Sequence, residues 1–208
     1  MFAPRREHAR FCSPGCRVAW NRDHSRDSAA EDRALEWSIA GMRDVTEQLS
    51  VCQPADQAAA FTAVTEAVWW VTIIDARLVR QYTDLYDGAL AARAAVQRPV
   101  IEGTLAGLRF VRNVMSDQAG WADFIGPPVS PGAGDGVVAA WMWKRVPEPA
   151  LAPLPAQVQR WELKRYWSYR QWLADRPVGE AFGRAAAFLN LAAARVASAP
   201  DTGLLANH

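Results

Sequence analysis

Phe61–Tyr82, FTAVTEAVWWVTIIDARLVRQY, is the stretch whose reading decides the fold. Phe61, Val64, Val68, Val71, Asp75 and Leu78 recur at three- and four-residue steps, the period of one face of a helix. Trp69, Trp70, Ile73, Ile74 and Val79 widen that face until little of the circumference is polar, which predicts a helix contacted on several sides. Charged groups interrupt the run only at Glu66, Asp75, Arg77 and Arg80. They break it too soon for a bilayer span. No turn signal divides the β-branched residues, and the run exceeds the usual length of a strand, so helix is the expected state.

Working outward, Val100–Met115, VIEGTLAGLRFVRNVM, places Ile101, Leu105, Leu108 and Met115 on one face, extended by Thr104 and Val111. Gly103 and Gly107 lower helix propensity there but let a neighbouring helix come close. Upstream, Leu35, Ile39, Met42, Val45 and Leu49 form the stripe of a helix over Glu31–Ser50, with a break expected at Ser28–Asp32 and Asp56 expected to cap the central helix. Thr83 and Asp84 mark a kink or stop, an Ala-rich helix follows as far as Val96, and Pro99 opens the next one. Beyond Asp117 the stretch QAGWADFIGPPVSPGAGDG carries so much Pro and Gly that no regular structure is expected at its centre. Val137–Trp143 reads as a strand, an extended segment or half a helix. After a proline-stiffened connector, Gln157–Ala174 is helical, and Asp175 with Pro177 introduces a last helix whose stripe is Val178, Phe182, Ala185, Leu189, Ala192 and Val196. The fold expected is mainly α: an antiparallel multi-helix bundle over 31–198 with a long Pro/Gly loop. A short basic, cysteine-containing arm over 1–27 precedes it, and a flexible tail over 199–208 follows.

The chain has 208 residues, enough to bury roughly 70% of its extended surface. Ten Trp, beside seven Phe and four Tyr, read first as large core and rim filler whose indole nitrogens need acceptors. A net charge near +1 gives no strongly basic field that would steer the whole chain to nucleic acid. The charge is uneven: residues 1–26 hold six Arg against Glu7 and Asp23, a net of +4. All three Cys lie in the first quarter, and without a secretory segment they read as thiols or metal ligands in a cytoplasmic protein with no membrane association.

Within the arm, His8, Cys12, Cys16 and His24 are four candidate zinc ligands, and the Ser13-Pro14-Gly15 turn can bring both sulfurs to one ion. FCSPGCRVAW resembles the second half of the treble-clef-like or zinc-ribbon-like segments common in actinobacterial proteins, where an earlier Cys-x-x-Cys completes the ligand set. That earlier pair is not in this chain; it lies upstream, has decayed, or is replaced by His8 and His24. The resemblance implies contact with nucleic acid, with Arg5, Arg6, Arg10, Arg17 and Arg22 as the local basic patch. Beyond this segment, the chain as a whole resembles actinobacterial helical proteins of similar layout.

In the helical body, Arg112 falls on an apolar face and so does Asp75, and each needs a partner. An Asp75–Arg112 pair is the expected solution, either as structure or as a site in which the carboxylate fixes an anion-holding Arg. Arg112-Asn113 resembles the motif of HEPN (higher eukaryote and prokaryote nucleotide-binding) helical domains, many of which are metal-independent ribonucleases. The resemblance implies catalytic candidates Asp75, Arg112, Asn113 and Asp117. Asp117, however, stands where the motif has His, and no His occurs between His24 and His208. That points to an inactive relative, since Asp titrates far below neutral pH unless strongly perturbed. Trp161–Trp172, WELKRYWSYRQW, alternates rings and cations, which suits a helix packed rings-inward on a bundle or one facing single-stranded nucleic acid. The expected function is therefore non-enzymatic association with nucleic acid through the arm, or with a partner protein or second copy through an aromatic surface. A ribonuclease and a scaffold without a nucleic-acid role are the alternatives.

Overall fold

No Pro occurs between Pro14 and Val51, and Ala29 and Ala30 are strong helix formers. The expected break at Ser28–Asp32 is accordingly absent, and α1 runs unbroken over Pro14–Val51. The computed structural model describes residues 14–53, 55–117, 124–129, 140–148 and 155–198, with the side chains of 14–32, 116–117 and 127–129 outside that description. Arg5, Arg6, His8, Arg10, Cys12 and the tail over 199–208 thus lie outside the described residues, as do the side chains of Cys16, Arg17, Arg22, His24 and Asp117.

The chain is mainly α, an antiparallel bundle of six helices with one two-stranded sheet among the described residues. After α1 come α2 (Gln57–Gln81), α3 (Thr83–Ala91), α4 (Arg98–Asp117), β1 (Ile125–Val129), β2 (Ala140–Trp143), α5 (Ala156–Trp172) and α6 (Val178–Ser198). It divides into two compact units, Met1–Trp37 and Ser38–His208, the boundary falling inside α1. The first holds the opening turns of α1. The second holds the remaining elements.

There, Met42, Val45 and Leu49 are buried on the α1 stripe. Gly41 lets the Trp70 ring in, since a Cβ would stand 2.8 Å from its Cε2 atom. Asp56 occupies the N-cap position of α2, but its carboxylate makes no cap hydrogen bond, contrary to expectation. α2 packs on α4 and α6 through Val64, Val68, Val71, Ile74 and Leu78, all 0–1 % exposed. Its other side is open: Trp69 is 40 % and Ile73 41 % exposed, so the helix is contacted over one broad face and not all round. By length and composition α2 is apolar enough to cross a membrane, contrary to the expectation that its charges forbid it. In this fold its apolar face is part of the bundle core. α3 stops at Ala91, short of the expected Val96.

The close approach expected of Gly103 and Gly107 is realised between α4 and α5, the most extensive helix contact among the described residues. A Cβ at Gly103 would run into the Trp172 ring, and one at Gly107 would lie 3.1 Å from the Tyr169 Cα atom. Below this contact the rings of Phe110, Phe124, Trp143, Tyr166, Tyr169 and Phe182 form one cluster with centroids 5.5–6.3 Å apart.

Regular structure does enter the Pro/Gly stretch. β1 pairs antiparallel with β2, Ile125 opposite Trp143 and Val129 opposite Ala140, with a register shift between Gly126 and Val129. Pro127 and Pro128 fall in that shift, where a missing N–H breaks no ladder bond, which is why a strand tolerates them. The other edge of β2 is held by the α5–α6 connection: Trp143 N–H donates to Arg176 O at 3.0 Å and Asp175 N–H to Trp143 O at 2.8 Å. Asp175 has a positive φ of 62°, in the left-handed region that Asp tolerates better than most residues. It serves this edge and an ion pair with Arg145 instead of capping α6.

Candidate functional site

Asp75 comes from the middle of the buried α2 face and is 0 % exposed. A carboxylate there needs partners. The break at Tyr82 turns α3 back beside α2, so that Tyr86 OH donates to Asp75 Oδ1 at 2.9 Å. α4 supplies the charge partner, an ion pair from Arg109 Nη2 to Asp75 Oδ2. The Tyr86 ring is fixed in turn by an edge contact with Phe188 of α6, centroids 5.1 Å apart. One carboxylate therefore ties three helices and, through Tyr86, reaches the fourth.

Burial pushes the Asp75 carboxyl above its ordinary range, while the Arg109 charge and the two hydrogen bonds draw it back down. Burial, and then the Asp75 charge, drives the Tyr86 phenol up as well. The node is thus a neutral phenol and a guanidinium on one carboxylate.

The expected Asp75–Arg112 pair is replaced by Asp75–Arg109, one turn earlier on α4. Arg112 instead stacks over the Trp69 ring, its guanidinium carbon 4.8 Å from the centroid. Asn113 donates to Glu162 Oε1 of α5 at 2.9 Å, and Arg165 pairs with the same oxygen. Asp75, Arg112 and Asn113 therefore serve three different contacts, with Asp117 outside the described side chains. Among the described residues no group of three His, Cys, Asp or Glu side chains is placed to hold a metal ion. The zinc candidates His8, Cys12, Cys16 and His24 lie outside that set.

Arg109 is 34 % exposed and opens onto a cleft of about 480 Å³ between α3, α4 and α5. Tyr86, Glu102 and Arg109 line one side, and Trp161, Lys164 and Arg165 the other. Lys164 lies over the Trp161 ring at 5.8 Å. The cleft continues onto the outer face of α5. At about 100° per residue, Trp161 and Trp167 stand about 120° apart with Arg160 and Lys164 between them, and Arg170 lies about 60° beyond Trp167. All five are exposed, the two indoles to 55 % and 52 %. Arg170 covers the Trp167 ring at 5.7 Å. Glu162, the acidic residue of this helix, is on the opposite side, held by Asn113 and Arg165.

The rings of α5 thus divide, against the rings-inward expectation. Tyr166 and Tyr169 are buried, their hydroxyls donating to Val146 O and Lys144 O, while Trp161 and Trp167 stay out with the cations. Arg109 and Tyr86 were not singled out by the sequence pattern, whereas Lys164 belongs to the ring-and-cation stretch that was. Arg109 and Arg112 are one helical turn apart and flank the same surface, so periodicity carries no signal that prefers one of them as the partner of Asp75. Compared with known proteins, the chain matches no family model, no curated protein and no solved structure.

Proposed function

We propose that this protein associates with single-stranded nucleic acid without catalysing a reaction on it, and that the outer face of α5 with the adjoining cleft is the contact surface. The observation that carries the reading is the pair of half-exposed indoles, Trp161 and Trp167, flanking Arg160 and Lys164 on an arc free of acidic side chains. Bases stack on such rings for about 1–3 kcal/mol each, whatever their sequence, while the cations neutralise phosphates. Arg109, braced from behind by Asp75, adds a further positive group at the edge of the cleft. With a whole-chain charge near +1, binding is expected to be weak and steeply salt-dependent. Arg5, Arg6, Arg10, Arg17 and Arg22 of the arm extend the same reading as a second basic contact, with zinc on His8, Cys12, Cys16 and His24 as its organising ion.

Support for a non-enzymatic role comes from the engagement of Arg112 with Trp69 and of Asn113 with Glu162, which commits both residues of the HEPN-like step to packing contacts. The test is fluorescence anisotropy of labelled oligo-uridine with the full chain across a salt series. The expected result is binding that falls with salt and drops at least about tenfold in Trp167→Ala and in Lys164→Ala, with the RNA left intact. Unchanged affinity in both variants removes α5 as the contact, and cleavage of the RNA removes the non-enzymatic reading.

A further inference from the structure

A separate pocket of about 430 Å³ lies between the α3–α4 connection and α6. Val96, Val100, Ile101 and Phe188 give it apolar walls. Its charged lining is two guanidinium groups, Arg93 and Arg184, with no carboxylate beside them in that lining. Arg184 pairs with Glu180 one turn back along α6, and Arg93 donates from Nη2 to Ala187 O at a long 3.5 Å. Arg93 and Arg184 are both part-buried, Arg184 with 25 % of its side chain exposed, so each presents guanidinium N–H groups to the pocket, and an anionic oxygen is the acceptor that matches them best.

The geometry points to a binding site for an amphipathic monoanion, whose carboxylate meets Arg93 and Arg184 and whose short hydrocarbon tail lies on Val96, Val100, Ile101 and Phe188. Charge complementarity selects the head group, and the apolar walls select the tail. The cleft beside α5 has a different character, since the rings of Trp161 and Trp172 line it together with Arg109, Lys164 and Glu102. The two pockets share no lining residue, so this site is independent of the nucleic-acid reading.

The test is isothermal titration of the full chain with sodium octanoate, and with acetate and octylammonium as the tail-less and wrong-charge controls in turn. Octanoate is expected to saturate one site per chain, with both controls at least about tenfold weaker. Ala187 is exposed on the pocket wall, so Ala187→Leu fills the space with little effect on folding; it and Arg93→Gln are each expected to weaken octanoate at least about tenfold. Should Ala187→Leu melt early, Arg93→Gln alone decides. Octylammonium binding as well as octanoate, many equivalent weak sites, or wild-type affinity in Arg93→Gln overturns the proposal.

Discussion

α2 and α5 sort their side chains in opposite ways. α2 is the more apolar helix, yet it hides a carboxylate, Asp75, and leaves Trp69 and Ile73 in water. α5 is the more polar, yet it sinks Tyr166 and Tyr169 completely and keeps Trp161 and Trp167 outside. The difference follows from what each helix faces. α2 lies against both α4 and α6, so a broad face is covered, and Asp75 falls within reach of Tyr86 and Arg109. α5 leans chiefly on α4, across Gly103 and Gly107, and only a narrow strip is covered. The residues on that strip are phenols that can hand their hydroxyls to the carbonyls of Lys144 and Val146, a solution open to Tyr and closed to a longer indole that donates from its flank. Burial in this molecule is therefore set by the neighbour and by the partners it offers, more than by the average character of the helix.

Truncation in the core should show the contrast most strongly. Leu78 is 0 % exposed on the covered face of α2, and Leu78→Ala is expected to cost about 3 kcal/mol in urea unfolding. A loss below about 1 kcal/mol would mean that this face is not packed as described.

Asp75→Ala comes next. Breaking a fully buried pair costs about 3–5 kcal/mol, and because Arg109 is 34 % exposed and can turn its charge to water, the expected loss is reduced to about 2–3 kcal/mol. The pH dependence fixes the sign. Burial raises the carboxyl above its ordinary 3.8, so its contribution is fully present below that value and fades as pH rises through the folded-state value. The stability difference between the parent and Asp75→Asn is therefore expected to be largest at the acid end and to shrink toward neutrality. A difference that grows with pH would show that the Arg109 pairing outweighs burial.

Gly107→Ala tests the narrow strip under α5. The new methyl group would stand 2.8 Å from Leu173 Cδ1 and 3.1 Å from the Tyr169 Cα atom. Against a gain of about 1 kcal/mol in helix propensity, the crowding is expected to leave a net loss of about 1 kcal/mol in thermal unfolding. A stabilised variant would mean that the α4–α5 spacing yields freely. Trp167→Ala is the smallest expected change, within about 0.5 kcal/mol of the parent, because its ring is half in water. Should it destabilise as much as Leu78→Ala, the distinction between the two helices fails, and with it the reading of the exposed indoles as a binding surface.

Much of this contrast was legible along the chain. The three- and four-residue steps of Val64, Val68, Val71 and Leu78 and of Val178, Phe182, Ala185 and Leu189 mark faces that are buried. Pro99 does lie in the first turn of α4, one residue after its start at Arg98, and Gly103 and Gly107 do mark a close approach, because a missing Cβ has few other uses inside a helix. The sheet was not legible. Pro127 and Pro128 are strand breakers by propensity and are accommodated only because a register shift places them between paired residues, a fact about the partner strand. Helix breaks were uncertain for the converse reason: Ser28–Asp32 combines weak signals for both states, and propensity alone settles nothing where no Pro or Gly intervenes.

Sequence by itself determined the helical class, the order of the helices, and that Asp75 lies on a face that has to be covered. Periodicity suffices for these, since it is a property of one helix seen along its own axis. Tertiary structure alone decided that Arg109 and Tyr86 take the carboxylate while Arg112 goes to Trp69, and that two indoles of α5 stay outside while its two buried phenols find carbonyls. Those outcomes depend on distances between elements far apart in the chain, and a turn of helix more or less changes the partner without changing the pattern.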